Sequence, residues 1–188
     1  MEIFLIRHTK VDVPDGTCYG FSDVGLASTF PEELNSLISR LPDRNDFVLY
    51  SSPLKRCRRL AEELGIDSGI EFDDRLKELN FGNWELKKWD EISRKEFLRW
   101  SKDFVNQVPP NGESYIQLFR RCNEFYEEIL HKKENKIAIV AHGGVIRSLL
   151  SHVLSIPLEK SFHLQIDYGS ISKIKIASRK IKVEYINR

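Results

Sequence analysis

Two histidines stand in matching positions far apart in the chain. "IFLIRHT" carries four apolar residues into Arg7-His8-Thr9, and "IAIVAHGG" carries another apolar run into His142-Gly143-Gly144. A third run, Phe47–Tyr50, ends in Ser51-Ser52-Pro53, with Arg56 close behind it. A neutral imidazole can serve as nucleophile, base or donor, and a guanidinium matches the oxygens of carboxylate or phosphate in pairs. Taken singly, each residue has a plainer use. A histidine at a strand end is commonly structural, Arg56 between other basic residues reads as a solvated charge, and Gly143-Gly144 reads as a tight turn. Brought together, the set suits a phosphate, which helix-start amides would also favour.

Such a meeting depends on the elements that carry these residues. Apolar runs of four or five that do not alternate suit strands buried on both faces, as in a parallel sheet covered by helices. Ile3–Ile6, Phe47–Tyr50 and Ile137–Ala141 are of this kind. Ligands of open α/β sheets bind beyond the carboxyl ends of the strands. Arg7-His8, Ser51-Ser52 and His142 are therefore expected at one crevice, with Arg56 in the first turn of the helix after the second strand.

Apolar positions 34, 37, 38 and 41 predict a helix. Ser52 as cap and Pro53 as first helical residue predict another, carrying Leu54, Cys57, Leu60, Ala61 and Leu64 until Gly65 stops it. Three- and four-residue spacing from Tyr115 to Leu130 predicts a long helix over Ser114 to about His131. A mixed pattern over Trp89–Phe104 predicts one more. "HLQID", "SKIKIA" and "KIKVEYI" alternate, as half-exposed antiparallel strands do, with turns at Tyr168-Gly169-Ser170 and Ser178-Arg179-Lys180. The expected fold is a three-layer α/β sandwich over residues 1–188 as one domain: a mainly parallel sheet, flanked by helices, with antiparallel C-terminal edge strands.

Composition narrows the partners. A formal net charge of +1 gives no global basic field for nucleic acid, so any anion site must be local. No stretch approaches the roughly 18 apolar residues of a membrane span, and Ile3–Ile6 is too short for a signal-peptide core. The three cysteines are odd in number, widely spaced and without a CxxC pair. They predict free thiols in a reducing cytoplasm, with no disulfide and no metal site. Neither GxGxxG nor GxxxxGK[ST] follows the first strand, which argues against a nucleotide-binding α/β protein.

"LIRHT", "YSSPLKRCRRLAE" and "VAHGGVIR", in that order, resemble the histidine phosphatase superfamily in its phosphoglycerate-mutase-like branch. "RLKELNFGNWE" is similar to that branch's acid-bearing segment, and "PPNGES" to the loop leading into its long helix. The resemblance spans Ile3 to Arg147. It implies the phosphoglycerate mutase-like fold and a metal-independent, cofactor-free phosphatase acting on a small phosphorylated metabolite. His8 would be the nucleophile that becomes phosphohistidine, with Arg7, Arg56 and His142 clamping the phosphoryl oxygens. Glu78 would handle the leaving-group proton, a role that residue type alone could equally give to Asp73, Asp74, Glu85 or Glu113.

Within the branch, "DGTCYGFSDVGL" is most similar to alpha-ribazole phosphatases of cobalamin assembly, which implies alpha-ribazole 5'-phosphate as substrate. Sugar-phosphate phosphatases, phosphoglycerate mutase-like enzymes and non-catalytic phospho-ligand binding stand as alternatives. Thr9, Tyr19, Gly20 and Gly143 are the expected substrate contacts. The C-terminal edge also offers a place for a second copy to pair as a homodimer. The chain departs from the family pattern at Leu60 in place of Thr, at Leu86 in place of the Gly of WEG, and at Thr9 in place of the Gly of RHG. None of these touches the presumed chemical groups.

Overall fold

In the computed structural model, strand β1 (Glu2–Arg7) lies inside a six-stranded sheet and sends its apolar residues to both faces. Ile3 and Leu5 enter one core, and Phe4 and Ile6 enter the other. The structure describes residues 1–188 except Asp43, Asn45 and Arg179. After β1 come α1 (Phe30–Arg40), β2 (Phe47–Ser51), α2 (Lys55–Glu63), β3 (Ile70–Phe72), α3 (Arg94–Lys102) and α4 (Tyr115–Leu130). Then follow β4 (Lys136–Ala141), α5 (Gly143–Leu154), β5 (Ile171–Ala177) and β6 (Lys180–Tyr185).

The strand order is β3-β2-β4-β1-β5-β6. The first four run parallel, and β5 and β6 are antiparallel. Leu118, Cys122 and Phe125 of α4, with Val145 and Leu149 of α5, cover one face. Leu34 and Leu37 of α1, with Cys57 and Leu60 of α2, cover the other. The architecture is the expected α/β sandwich with antiparallel C-terminal strands. Each fully buried Leu, Ile or Phe contributes about 1.5–3 kcal/mol, so burial on two faces makes β1 and β4 the best-anchored strands.

Register decides where the polar residues emerge. Arg7 sits opposite Ala141, and Ser51 opposite Val140. The His8 amide donates to the Ala141 carbonyl at 3.1 Å and the Ser52 amide to the Val140 carbonyl at 3.0 Å. The three strands therefore leave the sheet at one edge.

Several local expectations are corrected. Helix α2 begins at Lys55, because Leu54 is extended (φ −64°, ψ 139°) and the Ser52 hydroxyl is bonded to His142 instead of acting as the helix cap. Gly65 does follow the helix, at φ +65°. The Trp89–Phe104 stretch is a 3-10 turn at Trp89–Glu91 followed by α3, since buried Ile92 is extended between them. "HLQID" forms no strand. His163 closes a 3-10 helix, and the carbonyls of Leu164 and Ile166 accept from Arg147 and Arg7 rather than from a neighbouring strand. Strand β3, three residues long and mostly exposed, carries no pattern that alternation could reveal. Tyr168 and Gly169 do form a turn; the second expected turn includes Arg179, outside the described residues.

Cys18, Cys57 and Cys122 are free and buried. Among the described residues, no helix is long and apolar enough to cross a membrane. Leu86 adopts φ +64° and is 60% exposed. A left-handed conformation costs a side-chain-bearing residue about 1–2 kcal/mol, partly offset by the roughly 0.5–1 kcal/mol of extra unfolded-state freedom that glycine brings. Leu86→Gly is therefore expected to raise the melting temperature by about 2 °C. Calorimetry showing a lower melting temperature would refute the strain.

Candidate active site

His8 is 2% exposed, and its Nδ1 lies 2.8 Å from the Thr9 carbonyl oxygen. A carbonyl can only accept, so Nδ1 carries the hydrogen and the neutral ring keeps its lone pair on Nε2. The His142 ring centroid is 5.1 Å from that of His8. Arg56 donates from Nε to His142 Nδ1 at 3.2 Å, which leaves the His142 hydrogen on Nε2, bonded to Ser52 Oγ at 2.8 Å. The other arms of Arg56 reach the carbonyls of Ser22 at 2.9 Å and Gly20 at 2.6 Å. Arg7 donates from one arm to the Ile166 carbonyl at 2.6 Å, and its Nε is buried without a partner.

Arg147, one turn along α5 from Gly143, completes the group. Its Nε donates to the Leu164 carbonyl at 2.9 Å, and a Cβ on Gly143 would lie 3.0 Å from its Nη1 and 3.4 Å from Arg7 Nε. Gly143 thus lets two guanidiniums approach the helix start. Among the described residues, none of Arg7, Arg56 and Arg147 forms an ion pair with a carboxylate. Three guanidiniums, one of them fully buried, with no carboxylate at ion-pair distance favour an anion at this edge.

Burial, followed by the charges of Arg56 and Arg7, pushes the His8 imidazole well below its ordinary value. Burial does the same to His142, with Arg56 the next cause. Both rings are therefore neutral at neutral pH. The unfolded chain takes up protons on these histidines below about pH 6.5 while the folded one resists, so each costs about 1.4 kcal/mol of stability per pH unit as pH falls below that point. Thermal unfolding between pH 7 and pH 5 should show this loss. Inorganic phosphate, adding a negative charge beside both rings, should reduce it. A midpoint independent of phosphate would refute the anion site.

Glu78 faces the same edge from the segment between β3 and α3. Its Oε2 accepts from the Gly144 amide at 2.9 Å and its Oε1 from the Leu79 amide at 3.0 Å. A Cβ on Gly144 would come within 2.3 Å of Oε1 and push the carboxylate out of this position. Glu78 thereby occupies a first-turn amide of α5 that the sequence reading offered to phosphate. At α2 the Lys55 amide is likewise taken, by Asp23 at 2.6 Å.

The four other acids are committed elsewhere. Asp73 binds Arg75, Asp74 pairs with Lys77, and Glu113 pairs with Arg121. Glu85 accepts from the amides of Gly20, Phe21, Ser22 and Phe81. Arg121 also fastens the Glu78 segment, donating to the carbonyls of Arg75 (2.7 Å), Lys77 (2.6 Å) and Glu78 (2.9 Å).

Thr9 is buried, with its hydroxyl lacking a partner. Gly20 offers no free backbone group, since its amide binds Glu85 and its carbonyl binds Arg56; a Cβ there would strike the Leu79 carbonyl at 1.7 Å. The Tyr19 hydroxyl is 2.5 Å from that of Tyr168. The Tyr168 ring lies under the Arg7 guanidinium at 3.8 Å and 5.6 Å from the His8 ring, closing the site from outside.

Sequence reasoning missed Arg147, Tyr168 and Arg121. Arg147 lies in the quoted "VAHGGVIR" segment, four residues past Gly143 and so on one helix face with it. Tyr168 carried only a turn signal, and Arg121 only that of one charge on a long helix.

The chain matches the histidine phosphatase superfamily (branch 1) over residues 3–188. It is 26% identical to phosphoserine phosphatase 1 of Hydrogenobacter thermophilus, covering 100% of this chain and 92% of that one. It is 24% identical to the adenosylcobalamin/alpha-ribazole phosphatase of Escherichia coli, with 100% and 96% covered. In fold it is similar to the alpha-ribazole phosphatase of Shigella flexneri, with a TM-score of 0.92 at 24% identity over 100% of this chain and 96% of that one.

Proposed function

Because this chain belongs to the histidine phosphatase superfamily, we propose that it hydrolyses phosphomonoesters through a phosphohistidine on His8, with alpha-ribazole 5'-phosphate as its natural ester. The observation that carries the reading is a neutral His8, its hydrogen held on Nδ1, beside the guanidiniums of Arg7 and Arg56, which have no carboxylate partners. The His8 Nε2 lone pair attacks phosphorus, forming the N–P bond as the ester P–O bond breaks. Glu78 gives its proton to the departing alkoxide and then takes one from the attacking water. Water oxygen bonds to phosphorus, the N–P bond breaks, and inorganic phosphate leaves with the imidazole restored.

Arg7 and Arg56 supply charge to the equatorial oxygens, and positioning with electrostatics is most of what a loose phosphoryl-transfer transition state needs. Arg7 Nε is the donor already free to do so. His142 gains a free donor only by exchanging its Ser52 bond for a phosphoryl oxygen. The alpha-ribazole assignment is supported by the likeness of the "DGTCYGFSDVGL" loop and by the names of the E. coli and S. flexneri proteins.

The test is phosphate release, without added metal, from alpha-ribazole 5'-phosphate, phosphoserine, 3-phosphoglycerate and nucleoside monophosphates. Highest kcat/KM on the first supports the full reading. Preference for another ester overturns the substrate, and release from none overturns the activity.

A further inference from the structure

The reaction centre is closed over, and what closes it also walls a larger space. A small cavity of 110 Å³ touches Glu78, Gly144, Arg147 and Tyr19. Beyond the Tyr19–Tyr168 hydroxyl bond lies a pocket of 480 Å³, lined by both tyrosines, Val13, Pro14 and Trp89 among others. Small-molecule sites occupy about 300–1,000 Å³, so the cavity beside Glu78 is too small for an organic group while the outer pocket can hold one. Tyr19 borders both, and one ring, that of Tyr168, separates His8 from the outer space.

The walls state what that group resembles. Val13, Pro14, Trp89 and the two tyrosines are apolar or aromatic. Lys10 and Asp15, the charged residues of the lining, oppose each other and leave no net charge for a second anion. Trp89 is braced by Phe81 edge-on at 5.4 Å and by Trp100 at 6.1 Å in near-parallel stacking. A braced tryptophan facing a cavity is a stacking platform, because its orientation is already fixed before a ring arrives.

We propose that the outer pocket is the subsite for the alcohol part of the ester, and that Trp89 is the platform against which the ring of that alcohol lies. The inference rests on that phosphatase reading and deepens it by naming the subsite and the residue, Trp89, that would select a ring-bearing alcohol. The substrate passes between the phenols of Tyr19 and Tyr168, exchanging their mutual bond for contact with the ester.

The experiment compares ribose 5-phosphate with the 5'-phosphates of two ring-bearing ribosides, adenosine 5'-monophosphate and alpha-ribazole 5'-phosphate. The scissile bond is alike in all three, so the ratio of kcat/KM reads what the anomeric substituent adds, and its change in the variants below reads contact with the pocket. The better ring-bearing ester should exceed ribose 5-phosphate by roughly tenfold or more, the scale of stacking on an aromatic side chain. Trp89→Ala should shrink that ratio to below about threefold. Val13→Asp, at the pocket rim, should shrink it too, and stands in if the tryptophan variant fails to fold. A ratio near one in the parent, or one that neither variant changes, overturns the subsite. If no ester is hydrolysed, the activity falls by itself. Calorimetric titration of the parent with the same esters then decides the subsite: tighter binding of a ring-bearing ester supports it, and equal binding overturns it.

Discussion

His8→Ala is expected to lower kcat for phosphate release by about 10⁴-fold or more, the scale on which removal of a covalent nucleophile acts. The reason is local. Thr9 holds the hydrogen of the ring on Nδ1, and no other described side chain presents a free neutral nitrogen at this edge. Arg56 and Ser52 engage both nitrogens of His142, so it cannot take over the attack. The parent enzyme, quenched during turnover, should carry an acid-labile phosphoryl group on the peptide containing His8, and the variant should carry none. Phosphate release by the variant at the parent's rate, or a phosphoryl group on a different residue, would sink the mechanism.

Arg56→Ala should lower kcat by about 10²–10³, the usual effect of removing one preorganised donor to developing charge. Arg56→Lys should recover less than about tenfold of that loss, because a single ammonium cannot reproduce the planar fork. Here the fork serves three partners at once, the carbonyls of Gly20 and Ser22 and the Nδ1 of His142, from a side chain with no exposed surface. Either variant therefore frees His142 to reorient and unfastens the loop that carries Tyr19. Inorganic phosphate should raise the melting temperature of the parent and barely move that of either variant, as expected when a ligand binds only the folded state. A lysine variant with full activity and full phosphate stabilisation would show that charge alone suffices.

Much of this site was legible because its signals are local. The runs Ile3–Ile6 and Ile137–Ala141 report strands by being apolar without alternation, and both histidines follow such runs. Parallel register then carries Arg7, Ser52 and His142 to one edge. The resemblance selected Glu78 among five acids; the structure sets Glu78 against the Gly144 amide at the start of α5, and the others against Arg75, Lys77, Arg121 or the amides around Gly20. The errors were also local. Ser52 looked like a helix cap because cap and hydrogen-bond partner share one side-chain chemistry, and "HLQID" looked like a strand because alternation does not reveal that guanidiniums hold its carbonyls.

By itself the sequence determined the layer architecture, the sheet edge and the kinds of groups that meet there, because hydrophobic period and strand direction are properties of neighbouring residues. Only the tertiary structure decided which ring nitrogen of His8 is free, that three guanidiniums share the edge without carboxylate partners, and that Tyr168 closes over them. Those facts depend on groups up to 159 residues apart, such as Arg7 and the Ile166 carbonyl or Tyr19 and Tyr168, which no pattern within the chain relates.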